Sequence, residues 1–329
     1  MSFPIVPFIQ RAITQGTPLL LGSTGEIITE KSGNLNLGIP GIMYIGGISG
    51  VIGGFLYQYS GNKVVPALAI IIPLLFSLLG SLIASLIYCF LTVTLRANQN
   101  VTGLALTTFG VGFGNFFGGS LIRILDSDVP FISLTKIAKA YKTTLPFASK
   151  LGWFGELFFS YGFMVYLAVV IAIIAAVILK RTRIGLHLRA VGENPATADA
   201  AGINVAKYKY FATCAGGMIA GLGGLFYVMD YSNGVWSNNG FGDRGWLAIA
   251  LVIFSMWRPN LSIAGSYLFG ALYILYNYIN IKMGLEMIPI LQMLPYVVTI
   301  IVLILTSIRN KRENHPPASL GLSYFREDR

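Results

Sequence analysis

The sequence predicts an all-α protein, a polytopic bundle of about nine transmembrane helices, with ten as the alternative. Hydrophobic residues make up 55% of the 329 residues and charged residues only 11%, too few to cover the surface of a soluble protein of this length. Apolar runs of about 20 residues recur, the length that crosses a hydrocarbon core as a helix. Because transmembrane barrels show shorter, alternating segments, these long blocks favour helices.

The apolar blocks define nine predicted spans. The third is longer than a straight crossing requires, so we expect it to tilt or to extend beyond the bilayer. The seventh is short enough for a half-span. The first contains Arg11 and Glu26, which predicts that it faces the protein interior. The spans are 7–29, 39–59, 64–95, 101–123, 159–179, 208–231, 244–257, 262–281 and 290–308.

Basic residues predict the orientation of the bundle. Lys and Arg concentrate in segment 180–209 and near the C-terminus, and such segments stay cytoplasmic. With nine crossings the N-terminus is then outside, and segment 124–158 is exported with a partly ordered surface helix. We divide the chain into a transmembrane domain, 1–308, which includes a cytoplasmic loop, 180–207, and a cytoplasmic tail, 309–329. The net charge of +10 lies largely in loops and requires no nucleic-acid partner.

Glycines recur at every fourth position in three of the predicted spans. Glycines with this spacing share one helix face and let two backbones approach closely in lipid. We therefore interpret most of them as packing positions. They are Gly46, Gly50 and Gly54, then Gly110, Gly114 and Gly118, and then Gly217 and Gly221.

Polar residues at membrane depth are candidates for a solute pathway. Segment 31–41 contains helix breakers in an apolar context, and unwound backbone at that depth is tolerated where it is buried in protein or lines a cavity. Amide side chains there can pair with the polar edge of a neutral solute. Helix capping and interhelical hydrogen bonds are the competing interpretation. The candidate pathway residues are Glu26, Asn34, Asn36, Asn100, Thr102 and Asn115.

The sequence contains no catalytic or metal-binding constellation. Its two histidines, His187 and His315, lie in predicted loops, and there is no phosphate-binding G-x-x-x-x-G-K-[ST] loop. We expect neither enzymatic activity nor a metal or cofactor on this chain, so any ATP hydrolysis would come from another polypeptide. Asp243 and Arg244, together with Asp230 at the end of the sixth span, are interpreted as an external ion pair or as part of a docking surface.

The basic loop contains a short helix with signals at both ends. Asn194 is a good N-cap residue and Pro195 suits the first helical position. The helix is rich in alanine and ends at Gly202. Because so short a helix is marginal alone in water, we expect it to dock on the chain's own helix ends or on a partner. A simple surface connector is the alternative.

Seven segments, in order along the chain, together resemble one family: 33–43, 100–106, 183–185, 189–195, 200–202, 245–254 and 317–327. They resemble permease subunits of ATP-binding-cassette (ABC) importers in the branched-chain amino acid, ribose and nucleoside permease superfamily. Pro40 stands where many members of that superfamily carry an acidic residue. Two segments, 245–254 and 317–327, are similar to the nucleoside branch, typified by bacterial guanosine and purine nucleoside permeases.

This resemblance implies an importer with divided labour in the bacterial cytoplasmic membrane. This chain and a second permease, a paralogue, would enclose the path, while two cytoplasmic ATPases would bind ATP and Mg²⁺. An extracellular lipoprotein would deliver a nucleoside, with purines favoured. The alternative solutes are a simple sugar and a branched-chain amino acid. The alternative kind of transporter is a secondary transporter that works alone. The coupling residues would be Arg189, Glu193, Asn194, Pro195, Ala200, Ala201 and Gly202.

Overall fold

A computed structural model describes residues 4–60, 64–124, 131–144, 152–278, 288–309 and 315–326. This part of the chain is mostly helical and contains one small antiparallel sheet. The helices are α1 (Ile5–Glu30), α2 (Ile39–Gln58), α3 (Pro66–Cys89), α4 (Gln99–Ile124), α5 (Thr135–Tyr141), α6 (Gly152–Phe159), α7 (Phe163–Arg181), α8 (Arg183–Glu193), α9 (Pro195–Ala200), α10 (Val205–Phe226), α11 (Arg244–Phe254), α12 (Pro259–Ile274), α13 (Ile288–Gln292) and α14 (Leu294–Arg309). The strands are β1 (Phe131–Ser133) and β2 (Val235–Ser237).

Five helices in the described part of the chain are long and apolar enough to cross a membrane. They are α2, α4 and α7, together with α3 and α10, each of which continues into a π-helical turn. The third predicted span is indeed long, since Pro66–Thr94 has 29 residues. The seventh is indeed short, since α11 has 11 residues. The count of nine crossings stays a prediction.

The first predicted span faces the protein interior over most of its length, as Glu26 indicated, whereas Arg11 near its start is exposed. Residues 15–27 of α1 are all buried, and α1 packs against α10, α11 and α12. Buried polar groups on this helix therefore contact other helices and are kept away from lipid.

Of these five long helices, α2 and α10 lie at the centre of the bundle and α3, α4 and α7 at its periphery. The most apolar stretch of α2 is 83% buried and that of α10 is 67% buried, against 28–33% for α3, α4 and α7. The outer helices expose large apolar side chains such as Leu79, Phe116 and Ile174. A surface of this kind is suited to lipid contact.

Close backbone approach at the spaced glycines is also present. A Cβ atom built on Gly46 would overlap the backbone of Gly221, where α2 crosses α10. A Cβ atom on Gly110 would overlap the backbone of Gly41, where α4 crosses α2. Small residues at these crossings bring the helix axes together, as the spacing predicted.

The segment between α4 and α7 contains the predicted surface helix, α6, together with two elements that were not predicted. It holds β1, which pairs with β2, and two short helices, α5 and α6. Tyr141 at the end of α5 is fully buried, and its hydroxyl donates to the carbonyl of Ile70 on α3 (2.7 Å). Apolar contact with α3 therefore fixes α5 to the bundle, while α6 exposes Trp153. Residues 125–130 and 145–151 lie outside the described part.

Candidate functional site

The chain unwinds between α1 and α2 while it is still inside the protein. Residues 31–38 are not α-helical, and most of them are buried. Their backbone groups bond to side chains of neighbouring helices: Leu35 N–H donates to Gln99 Oε1 (2.7 Å), and Thr107 Oγ1 donates to the carbonyl of Leu37 (2.7 Å). The Tyr88 hydroxyl donates to the carbonyl of Leu35. This segment, called the α1–α2 loop below, matches the predicted helix break.

A buried polar cluster surrounds this loop. The backbone N–H of Asn36 donates to Glu26 Oε1 (3.2 Å), and Asn34 Nδ2 donates to Thr213 Oγ1 on α10 (3.0 Å). One turn along α1 from Glu26, Glu30 accepts a hydrogen bond from the indole of Trp257. Glu26, Glu30, Asn34, Asn36 and Thr213 are each at most 4% exposed. We call these five residues the polar cluster.

Three polar atoms of this cluster have no partner among the described residues. They are Glu26 Oε2, Asn34 Oδ1 and Asn36 Nδ2. An unpaired buried polar atom costs about 1–3 kcal/mol. Such atoms are available to a polar solute or to water that reaches the cluster.

The other three candidate pathway residues lie elsewhere. Asn100 is exposed at the start of α4, and the cap there is Asn98, whose Oδ1 accepts from the N–H of Val101 (3.1 Å). Thr102 is half-buried beside Asn100. Asn115 is four turns further along α4, where its Nδ2 donates to Asn239 Oδ1 (2.9 Å). The structure thus brings Glu26, Asn34 and Asn36 together and leaves Asn100, Thr102 and Asn115 outside their cluster.

The interpretation of Arg244 as half of an external ion pair is wrong. Arg244 is only 7% exposed, and the described residues contain no ion pair between it and Asp243. Its guanidinium carbon lies 4.6 Å from the ring centroid of Tyr227 and 5.0 Å from that of Tyr231, while Nη1 donates to the carbonyl of Phe241 (2.8 Å). Cation–π contacts of this kind stabilise a desolvated guanidinium. In the sequence, the four-residue spacing of Tyr227 and Tyr231 was the signal that could have indicated this site for the Arg244 guanidinium.

The predicted short helix is present, with the predicted ends. The side chain of Asn194 accepts from the N–H of Thr197 (3.0 Å), and α9 begins at Pro195. Gly202 follows its end with a φ of +81°, a left-handed conformation that glycine adopts readily. We call residues 183–202, which comprise α8 and α9, the coupling segment, after the role that the family resemblance implies for it.

One face of the coupling segment is docked and the other is exposed. Ala198 is buried with Val191 and Val205 in a small apolar cluster. This docking on the chain's own helix ends was one of the two predicted possibilities. The exposed predicted coupling residues are Arg189, Glu193, Asn194, Ala200, Ala201 and Gly202, with Pro195 half-buried.

The C-terminal tail links the coupling segment to the α1–α2 loop. Ser319 N–H donates to the carbonyl of Gly192 at the end of α8 (3.0 Å), and Gly321 N–H donates to the carbonyl of Gly33 in the loop (3.2 Å). A Cβ atom on Gly192 would overlap the carbonyl oxygen of Lys31. Loop, coupling segment and tail therefore meet in backbone contact, which the sequence did not predict.

Charged groups surround the same junction. Burial lowers the pKa of Lys31, and the neighbouring Arg189 and Arg258 lower it further, whereas the carboxylate of Glu193 raises it. Glu193, at the end of α8, thus helps to keep Lys31 charged. Among the predicted coupling residues, Arg189 and Glu193 both act electrostatically on the α1–α2 loop.

Comparison with protein families identifies the architecture. Residues 8–306 match the family described as branched-chain amino acid transport system permease component. The chain belongs to this permease family. The match covers all of the predicted transmembrane domain except its ends, so the membrane helices described above are those of a permease. The chain is a membrane protein on the same grounds.

Individual relatives of the permease cover most of its length. The nucleoside ABC transporter permease protein NupC of Lactococcus lactis is 34% identical over 90% of this chain and 91% of its own. The guanosine ABC transporter permease protein NupQ of Bacillus subtilis is 29% identical over 90% of each chain. A putative glucose ABC transporter permease protein, TsgC13 of Haloferax volcanii, is 33% identical over 83% of this chain and 77% of its own.

Proposed function

We propose that this permease is the membrane subunit of an ABC importer that carries nucleosides into the cell. The observation that carries the proposal is the backbone junction between an exposed coupling segment and a buried polar loop. A partner that moves the exposed face of α9 also moves Gly192. Because Gly192 contacts Lys31 and Gly33, the movement reaches Asn34 and Asn36 without an intervening flexible side chain.

The energy for transport would come from separate subunits. Two cytoplasmic ATPases would bind ATP and Mg²⁺ and hold α9 in a groove, with Arg189 and Glu193 as polar contacts at its edge. The permease itself would carry no cofactor and no catalytic residue. Closure of the ATPase pair would move both coupling segments and switch access to the solute path from one side to the other.

The permease would work beside a second permease and an extracellular receptor lipoprotein. Two nucleoside permeases of one Lactococcus lactis strain, NupC and NupB, match this chain. NupB is 22% identical over 78% of this chain and 68% of its own length. This pair supports a paralogous partner for our chain. The topology would have nine crossings, an external N-terminus and a cytoplasmic tail.

Nucleosides are the favoured substrates, and purine nucleosides the favoured subset. Three of the relatives are named for nucleosides or guanosine. The free amide and carboxyl atoms of Asn34, Asn36 and Glu26 supply both donors and acceptors, which suits the polar edge of a base or the hydroxyls of a ribose. The glucose-named relative favours one other candidate, a simple sugar, which uses the same hydroxyl-binding groups.

Uptake by the reconstituted assembly tests the function. The permease, its paralogue and the ATPases would be co-purified, placed in liposomes with the receptor, and supplied with labelled guanosine, cytidine or glucose. We expect ATP-dependent accumulation of nucleoside, fastest for guanosine, and none with this chain alone. Glucose uptake without nucleoside uptake would support the sugar candidate. Gradient-driven flux through this chain alone would contradict the division of labour.

The proposed topology predicts opposite accessibility for two exposed positions. With Cys89 and Cys214 replaced by alanine, Lys142→Cys should react with an impermeant maleimide on intact cells, because it follows α5 on the outer side. Thr197→Cys on α9 should react only after the cells are permeabilised. Labelling of Lys142→Cys from the cytoplasmic side alone would reverse the orientation of segment 124–158 and contradict the count of nine crossings.

A further inference from the structure

A cavity of about 440 Å³ lies where the coupling segment meets the tail and the start of α10. Its wall is formed by the π-helical end of α3, the turn from Gly202 to Asn204, the first turns of α10, and tail residues Tyr324 and Arg326. Pockets of roughly 300–1,000 Å³ are the usual size of small-ligand sites. The polar cluster and the candidate pathway residues do not line it.

Basic side chains outnumber acidic ones in this wall. Arg96, Lys209 and Arg326 line the cavity, and Asp199 is the one carboxylate among its described lining residues. Arg326 Nε lies 3.2 Å from Asp199 Oδ2, so this pair is close to neutral. Two positive charges remain without a carboxylate in the wall.

Lys209 is the most unusual of these cations. It is only 3% exposed, and within the described part of the chain its ammonium group makes one hydrogen bond, to the carbonyl of Leu322 at 3.4 Å. The described residues contain no carboxylate paired with it. An ammonium has three donors, and a buried charge is costly unless it is paired. The described chain therefore leaves donor capacity and charge on Lys209 unused.

Two further features add positive potential to the same space. The guanidinium of Arg96 is 4.5 Å above the ring of Phe325, and this residue makes no ion pair among the described residues. The N-terminus of α10, a helix of 22 residues, borders the cavity at Val205 and Ala206, one residue past Asn204, whose side chain accepts from the N–H of Lys207 (2.9 Å). The N-terminal end of a helix attracts anions through its free N–H groups and dipole.

We propose that this cavity binds a phosphate-bearing anion, held by Lys209 and Arg96 at the N-terminus of α10. In the proposed topology, on which this inference rests, the cavity lies at the cytoplasmic membrane surface, at the level of inner-leaflet headgroups. The phosphate can therefore come from an anionic phospholipid or from a soluble phosphate compound. The bound anion would join α10, the end of α3 and the tail, and would stiffen the junction that carries motion from α9 to the α1–α2 loop.

The experiment compares lipid and soluble sources on the complete reconstituted transporter. Liposomes of phosphatidylcholine alone, of phosphatidylcholine with phosphatidylglycerol, and of phosphatidylcholine with added pyrophosphate would be assayed for nucleoside uptake and for the thermal unfolding midpoint. If a lipid is bound, phosphatidylglycerol should raise both quantities. If the ligand is soluble, pyrophosphate should raise both in the neutral liposomes. An increase of about threefold in uptake is expected, equivalent to about 0.7 kcal/mol.

Variants separate a built site from a general charge effect. Lys209→Gln and Arg96→Gln should abolish the anion-dependent increase, and Lys209→Arg should retain most of it. Arg96 is exposed, so its variant keeps the test valid if Lys209→Gln fails to fold. Lys207→Gln, two residues away on the same helix and exposed, should keep the full increase.

Three results would overturn the inference. The first is an active wild-type transporter that responds to neither anion. The second is equal loss of the anion effect in Lys207→Gln and Lys209→Gln. The third is release of the ATPase subunits by Arg96→Gln, which would assign the cations to an acidic group of a protein partner. A wild-type assembly without any uptake would contradict the proposed function instead, and the unfolding midpoint would still test anion binding.

Discussion

Replacing Gly110 by leucine is expected to prevent the folded bundle from accumulating, whereas replacing Gly112 by leucine is expected to be nearly neutral. Both glycines lie on α4, two residues apart. A Cβ atom on Gly110 would overlap the backbone of Gly41, but nothing lies within 4 Å of a Cβ atom on Gly112. Overpacking typically costs about 1–3 kcal/mol. The loss of stability in Gly110→Leu should reach or exceed about 3 kcal/mol, because the backbone of α2 must move.

The comparison is read out by detergent extraction and thermal unfolding. Gly110→Leu should give little monodisperse protein and a strongly lowered unfolding midpoint. Gly112→Leu adds the same side chain to the same helix, so it controls for changes in hydropathy and helix propensity. Equal midpoints for the two variants would show that the contact between α2 and α4 does not determine the packing of this bundle.

Replacing Gly202 by proline is expected to abolish ATP-driven uptake while leaving the permease in the membrane. Gly202 has a φ of +81° and its N–H donates to the carbonyl of Asp199 (2.9 Å). Proline holds φ near −65° and has no N–H, so the end of α9 and the turn into α10 must rearrange. Gly202→Asn is the matched control, because asparagine tolerates the left-handed conformation, and it should retain most uptake.

A second variant tests the exposed face of α9 without altering its fold. Ala200 is exposed, so Ala200→Asp should fold normally and lose uptake by about tenfold or more, as an unpaired charge buried in a partner's groove would cost more than 1.4 kcal/mol. Thr143→Asp adds the same charge at an exposed position on the other proposed side. Normal coupling of ATP hydrolysis to uptake in both Gly202→Pro and Ala200→Asp would remove α9 from the mechanism.

Local signals in the sequence accounted for much of this structure. Run length and hydropathy placed five long membrane helices, including the extended third, and indicated the short seventh. Side-chain capping at Asn194, proline at the first helical position and a glycine after the last turn located α9. The glycine spacing anticipated the crossing at Gly110. Each of these patterns involves residues within one or a few helical turns. It can therefore be recognised without knowing which helices pack beside it.

Site residues were harder to predict, because a polar side chain in a membrane helix does not reveal its depth or its partner. Glu26, Asn34 and Asn36 converge because the α1–α2 loop turns back toward α1. Asn100 and Asn115 resemble them in the sequence but lie at two distant points of α4. Arg244 was misassigned because its partners, Tyr227 and Tyr231, become neighbours only when the chain after α10 folds back.

The sequence by itself determined the class of protein, a helical membrane permease, together with the short capped helix α9. Only the tertiary structure decided that Gly33, Gly192 and Ser319 meet, and that Lys209 and Arg96 face one cavity. The physical reason is that hydropathy and capping are local properties of a chain. Contact between segments separated by more than a hundred residues depends on how all the helices pack at once.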